Sequence, residues 1–125
     1  MRGIVTPKLE DFLRQVNTAA AEARAQGVQY TPEIVRGNLD KLAAFIPDGP
    51  ALAFVEDRGL TLKDRVINTR VYSPDPSAPL PVLIHYHGGG HMCGSIELYD
   101  TASRMMASMA NCVVICPDYR LAPEH

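Results

Sequence analysis

The chain has 125 residues, 46% of them hydrophobic and 21% charged, the profile of a globular domain long enough to bury a core. Its net charge of −2 gives no basic surplus to favour nucleic acid and no polybasic patch to favour an anionic membrane. No apolar run approaches the roughly 20 residues of a membrane helix, and Met1 to Glu10 lacks the apolar core of a signal peptide. A cytoplasmic protein without stable membrane insertion is the simplest expectation.

Residues 6–26 read as an amphipathic helix, with Thr6 as N-cap, Pro7 at the first helical position, and Leu9, Phe12, Leu13, Val16 and Ala20 along one face. Gly27 is placed to end it. The same punctuation recurs at Thr31 and Pro32, opening a second helix with the stripe Val35, Leu39, Leu42 and Ile46, stopped by Pro47 and Gly49-Pro50. Two helices ahead of any strand suggest a lid or N-terminal arm.

From Leu52 the period changes. Ala53 to Asp57 and roughly Thr61 to Tyr72 read as two strands, the second alternating Ile67, Thr69 and Val71 against Asn68 and Arg70. The proline-rich segment Pro74 to Pro79 cannot join a ladder and is expected to be an exposed loop. Leu80 to His87 is then apolar on nearly every residue, which fits a strand covered on both faces in a parallel sheet. A helix with Ala102, Met105, Met106 and Met109 on one face follows, closed by Asn111, and the methionine stripe is expected to pack in the core. Cys112 to Pro117 is another continuous apolar strand, so this span forms a βαβ unit in an α/β fold. Cys112 and Cys116 read as buried free thiols, while Cys93, beside a run of glycines, could be exposed.

That run, Gly88-Gly89-Gly90, falls at the carboxyl end of a strand, where ligands bind in such sheets. Consecutive glycines lose much entropy on folding, so bare backbone must be needed there, for a sharp turn or for close approach of N–H groups to another molecule. His85, His87 and His91 invite a zinc reading, but no further ligand follows at a supporting spacing. A phosphate cradle fails on spacing, because Met92 and Cys93 stand where G-x-G-x-x-G needs glycine and no Gly-Lys-Ser/Thr ending is present. The third reading is an oxyanion hole, in which preorganised N–H groups hold the charge that develops on an ester carbonyl under attack; a turn without a ligand remains the bland alternative.

His87-Gly88-Gly89-Gly90, with Gly94-Ser95, Tyr99-Asp100 and the phrase Asp118-Tyr119-Arg120-Leu121-Ala122-Pro123-Glu124-His125, resembles the hormone-sensitive-lipase family of α/β-hydrolases over the whole chain. The resemblance implies the N-terminal portion of an α/β-hydrolase fold: a partial, mainly parallel sheet preceded by two cap helices, with residues 1–50 as the caps and 51–125 as the first part of the core. It implies that Gly89 and Gly90 donate to the oxyanion, that Gly88 makes the turn, and that His87 braces the loop. Asp118 and Arg120 would support the site from below in a packed, salt-bridged turn with Glu124 and His125, and His91 and Met92 would border the substrate. His91 stands where the family usually carries an aromatic residue, and His85 where it carries an apolar or aromatic one.

The family's nucleophile lies in a G-x-S-x-G elbow, followed in chain order by the acid and the base. Ser73, Ser77, Ser95, Ser103 and Ser108 all lack that frame. The expectation is therefore a segment that carries the oxyanion loop of a longer serine carboxylesterase or lipase-like enzyme, inactive alone, with an exposed apolar edge at Val82 to Tyr86. Its substrates would be small esters of short to medium acyl chains; no cofactor or metal is expected, and a homodimer of the longer protein is left open. A receptor-like binding protein and an amide or formamide hydrolase are the rival readings.

Overall fold

The computed structural model describes residues 5–125; the first four residues of the expected cap segment lie outside the described residues. Two compact units are present, one ending at Thr31 and the other running from Pro32 to His125. The first contains α1 (Pro7–Ala25), which starts at the proline as expected, with Thr6 extended before it but making no side-chain cap bond. Gly27 closes the helix in the left-handed region, φ +71°. No helix among the described residues is long and apolar enough to cross a membrane.

The second unit begins with α2 (Pro32–Asp40), which tightens into a 3₁₀ turn at Lys41–Phe45 instead of running on to Ile46. A mixed four-stranded sheet follows, in the order β1-β2-β4-β3, made of β1 (Phe54–Thr61), β2 (Val66–Ser73), β3 (Val82–Ile84) and β4 (Val113–Pro117). The sheet is not mainly parallel. β3–β4 is its single parallel pairing, because β1 and β2 form a hairpin whose second strand meets β4 antiparallel. The hairpin turn also lies later than the sequence suggested: Thr61 ends β1 opposite Val66, and Leu62 N–H bonds to Arg65 O around the polar Lys63-Asp64 tip.

α3 (Asp100–Ala110) connects β3 to β4, and Asn111 caps it at φ +48°, a left-handed conformation that asparagine tolerates. The core is Tyr72, Ile96, Ala107, Cys112, Val114 and Cys116. α3 faces it with Ser103 and Ala107, and only Met106 of the methionine stripe leans on it. Met105 and Met109 are 47% and 80% exposed, so the stripe is not core packing. Periodicity locates an apolar face; whether another element covers that face is a separate matter.

Tyr72 is fully buried, and its hydroxyl donates to Asp100 Oδ1 at 2.9 Å. Asp100 also accepts from Arg104 Nε at 2.6 Å and meets Arg70 at 3.4 Å, so the first turn of α3 is tied to β2. Burial, reinforced by the bond to Asp100, pushes the Tyr72 phenol above its ordinary pKa and keeps it a donor.

β3 is an edge strand. Only three residues join its ladder, since Pro79 and Pro81 cannot donate, although His85 N–H continues to Ile115 O at 2.9 Å. Val82, Ile84 and Tyr86 are 61%, 57% and 66% exposed, the apolar edge expected at this place.

Candidate functional site

The chain leaves β3 at Ile84 and turns through Gly88, Gly89 and Gly90 before reaching α3. His87 anchors this turn. It is 3% exposed, with its ring stacked between Tyr119 at 4.4 Å and Tyr99 at 5.5 Å. The Tyr119 hydroxyl donates to His87 O at 2.7 Å, and His87 Nδ1 lies 2.9 Å from Gly88 O. A carbonyl can only accept, so Nδ1 is the donor in this bond. Nε2 is buried without a partner.

The backbone beyond His87 is held by its carbonyls. Gly88 O accepts from His87, while Gly89 O accepts from Met92 N and Cys93 N, both at 3.1 Å, and from Cys93 Sγ at 3.0 Å. A trans peptide places C=O and N–H on opposite sides of its plane. Fixing Gly88 O therefore turns the Gly89 N–H outward, and fixing Gly89 O does the same for the Gly90 N–H. Among the described residues, neither of these N–H groups donates to a backbone carbonyl. The loop thus presents two rigidly aimed donors to whatever lies beside it.

Glycine is required here for two different reasons. A Cβ on Gly89 (φ +131°) would sit 1.8 Å from Cys93 O, inside the loop's own hydrogen-bonded turn. Gly90 has φ +62° and meets nothing within 4 Å, so its bare Cα faces open space. Gly94, φ +98°, is closed off in turn by Gly88 O at 2.5 Å and His87 Nδ1 at 2.7 Å. The sequence marks the first two; Gly94's part in seating His87 is visible only in three dimensions.

The remaining expected site residues divide. His91 is exposed, at φ +61°, and its carbonyl accepts from Ala122 N at 2.8 Å, which ties the glycine loop to the segment after β4. Met92 is half-buried next to it. Asp118 and Arg120 have exposed side chains, and the expected salt-bridged turn does not form among Asp118, Arg120, Glu124 and His125. Asp118 contributes its backbone N–H to Asn68 O at 2.8 Å. Glu124 does make an ion pair, with Arg36 on α2, whose guanidinium holds the carboxyl at about 2, well below its ordinary value. The supports that the sequence did not reveal are Arg36, Tyr99 and Tyr119, each far along the chain from the loop residue it holds.

Cys93 is buried at 7% exposure and is held by Gly89 O; it is not the exposed thiol its position suggested. His85 lies 3.0 Å from Ser103 Oγ, superficially a nucleophile–base pair. The hydroxyl is fully buried and donates to Tyr99 O at 3.0 Å, so His85 Nδ1 is the donor to it and cannot act as its base. Burial, with a smaller contribution from His87, lowers the His85 pKa and favours the neutral ring. Ser95 Oγ accepts from Leu98 N at 3.1 Å. Among the described residues no group of three His, Cys, Asp or Glu side chains converges to hold a metal ion.

A family profile for the alpha/beta hydrolase fold matches residues 83–125, from β3 through the glycine loop to the last residue. An arylesterase of Saccharolobus solfataricus is 38% identical over 98 residues, covering 78% of this chain and 32% of that protein. Carboxylesterase NlhH of Mycobacterium tuberculosis is 45% identical over 60 residues, 47% of this chain and 19% of its own length. Among solved structures, an esterase from the archaeon Pyrobaculum calidifontis superposes on 98% of this chain with a TM-score of 0.79 at 32% identity, and the match covers 39% of that chain. The chain therefore spans about a third or less of the length of these curated relatives.

Proposed function

This chain belongs to the HGGG-type family of α/β-hydrolases, and from that premise we propose that its Gly88–Gly90 loop is the oxyanion hole of a serine carboxylesterase acting on small esters of short to medium acyl chains. The observation that carries the reading is the pair of outward N–H groups of Gly89 and Gly90, fixed by the anchored carbonyls of Gly88 and Gly89. An ester carbonyl oxygen gains negative charge when a hydroxyl adds to its carbon, and donors already aimed need no reorganisation at that moment. The bare Cα of Gly90, with open space in front of it, leaves room for the acyl group. No serine of this chain stands in a G-x-S-x-G frame, and the chain spans about a third or less of the length of these esterase relatives, so the nucleophile, its histidine base and the orienting acid are proposed to lie outside it. The base takes the serine proton, the tetrahedral adduct collapses with loss of the alcohol, and water repeats the cycle on the acyl-enzyme. The exposed edge of β3 and the esterase relatives both favour this division of labour.

The test uses p-nitrophenyl esters from acetate to octanoate. The full-length protein should hydrolyse them and lose activity with a serine-directed phosphonate, while the 125-residue chain alone should give no turnover. A full-length protein inert to every ester, or a phosphonate-sensitive esterase activity in the isolated segment, would overturn the proposal.

A further inference from the structure

We propose that Arg36 is a positioning residue for the oxyanion loop, an inference that rests on the esterase reading above. Its guanidinium makes four hydrogen bonds: Nε to Met92 O at 2.8 Å, Nη2 to Ala122 O at 2.9 Å, and a fork to Glu124 with Nη1 to Oε1 at 2.8 Å and Nη2 to Oε2 at 2.7 Å. Three parts of the chain distant in sequence therefore meet at one planar group: α2, the glycine loop, and the segment after β4.

What this fixes follows from the order of anchored carbonyls. Gly88 O is held by His87, Gly89 O by Met92 N and Cys93 N, His91 O by Ala122 N, and Met92 O by Arg36. Met92 therefore has two engagements. Its N–H holds the carbonyl that aims the Gly90 donor, while its own carbonyl is held by Arg36. Ala122, which holds His91 O, is itself held by Arg36 through its carbonyl. The guanidinium closes a ring of bonds around the C-terminal side of the donor pair.

Stability is a poor explanation for so specific an arrangement. The Glu124 side chain is 49% exposed and that of Arg36 27%, and ion pairs near the surface contribute little. Two of the four bonds go to the carbonyls of Met92 and Ala122, and these residues reach the Gly89 carbonyl, which aims the Gly90 N–H, through the Met92 and Cys93 N–H groups and through His91 O. A planar, always-charged fork can hold all four acceptors at fixed angles, whereas a lysine ammonium on a flexible stem cannot.

The test is made in the full-length enzyme, with activity expressed per active site by phosphonate titration. Arg36→Ala and Arg36→Lys should each lower kcat about 10- to 100-fold, as misaimed groups do, with KM little changed. Affinity for a trifluoromethyl ketone, which mimics the tetrahedral adduct, should fall by the same factor as kcat/KM. Glu124→Gln, which keeps an acceptor for the fork, should give a smaller loss in the same direction and serves if the Arg36 variants fold poorly. An active wild type whose variants keep kcat per active site and ketone affinity, losing only thermal stability, would overturn the clamp alone. A wild type inert to esters would overturn the esterase reading and the clamp with it.

Discussion

Replacing Gly89 by alanine in the full-length enzyme is expected to abolish measurable ester hydrolysis, whereas Gly90→Ala, which keeps its N–H but puts a methyl into the open space in front of the loop, should leave a folded enzyme slowed about 10- to 100-fold. The two glycines are adjacent and both have positive φ, yet the added methyl meets different surroundings. At Gly89 it would lie 1.8 Å from Cys93 O and 2.5 Å from Cys93 C, which are backbone atoms that cannot swing aside. Relief requires breaking the bonds from Met92 N and Cys93 N to Gly89 O, and with them the orientation of the Gly90 N–H. Strain and overpacking together put the cost on the order of 3 kcal/mol. At Gly90 the methyl meets nothing within 4 Å, and the expense is the left-handed backbone at φ +62°, about 1–2 kcal/mol for an alanine. Thermal melts and single-turnover rates on both variants check the contrast; equal behaviour would show that the Cys93 turn does not control the donors.

His87→Ala has the other large expected effect. The imidazole fills the space between Tyr99 and Tyr119 and supplies the proton that holds Gly88 O. Its removal opens a gap between two stacked rings and leaves the Gly88 carbonyl free to rotate. Deleting a buried ring and a hydrogen bond together costs about 2–4 kcal/mol. Activity should fall by a further factor of about 100, because the Gly89 N–H is aimed only as well as its own peptide plane is held. His87→Asn distinguishes packing from bonding: a short side chain that can donate to Gly88 O should restore part of kcat without restoring the melting temperature. Calorimetry and steady-state kinetics on the pair decide it, and an alanine variant with wild-type kcat would remove His87 from the account.

The parts of the molecule legible in the sequence are those whose cause is local. Three consecutive glycines after an apolar strand announced exposed backbone, and Asn111 and Gly27 announced helix ends because only certain residues tolerate φ +48° or +71° there. The exposed edge at Val82 to Tyr86 was also legible, as an apolar strand without a second neighbour. What was not legible depends on a partner far along the chain. Nothing in α2 indicates that Arg36 finds its carboxylate at Glu124, 88 positions on. A continuous apolar run shows neither the direction of a strand's neighbours nor what covers it: β2 meets β4 antiparallel in a sheet expected to be mainly parallel, and β3, expected to be covered on both faces, leaves Val82 and Ile84 61% and 57% exposed. The methionine stripe of α3 has the periodicity of a core face, yet Ser103 and Ala107 take that place, on the side of the helix that also carries Asp100 to the Tyr72 hydroxyl. Asp118 and Arg120 were expected to pair within their own loop, but the only carboxylate there that pairs does so with α2.

The proposed role of Gly89 and Gly90 as oxyanion donors is tested most directly by a crystal structure of the full-length enzyme trapped with a phosphonate ester. The phosphonyl oxygen stands where the substrate oxyanion forms, and it is expected to lie about 2.7–3.1 Å from both the Gly89 and the Gly90 N–H. A phosphonyl oxygen held by side chains alone, or turned away from both glycines, would contradict that role.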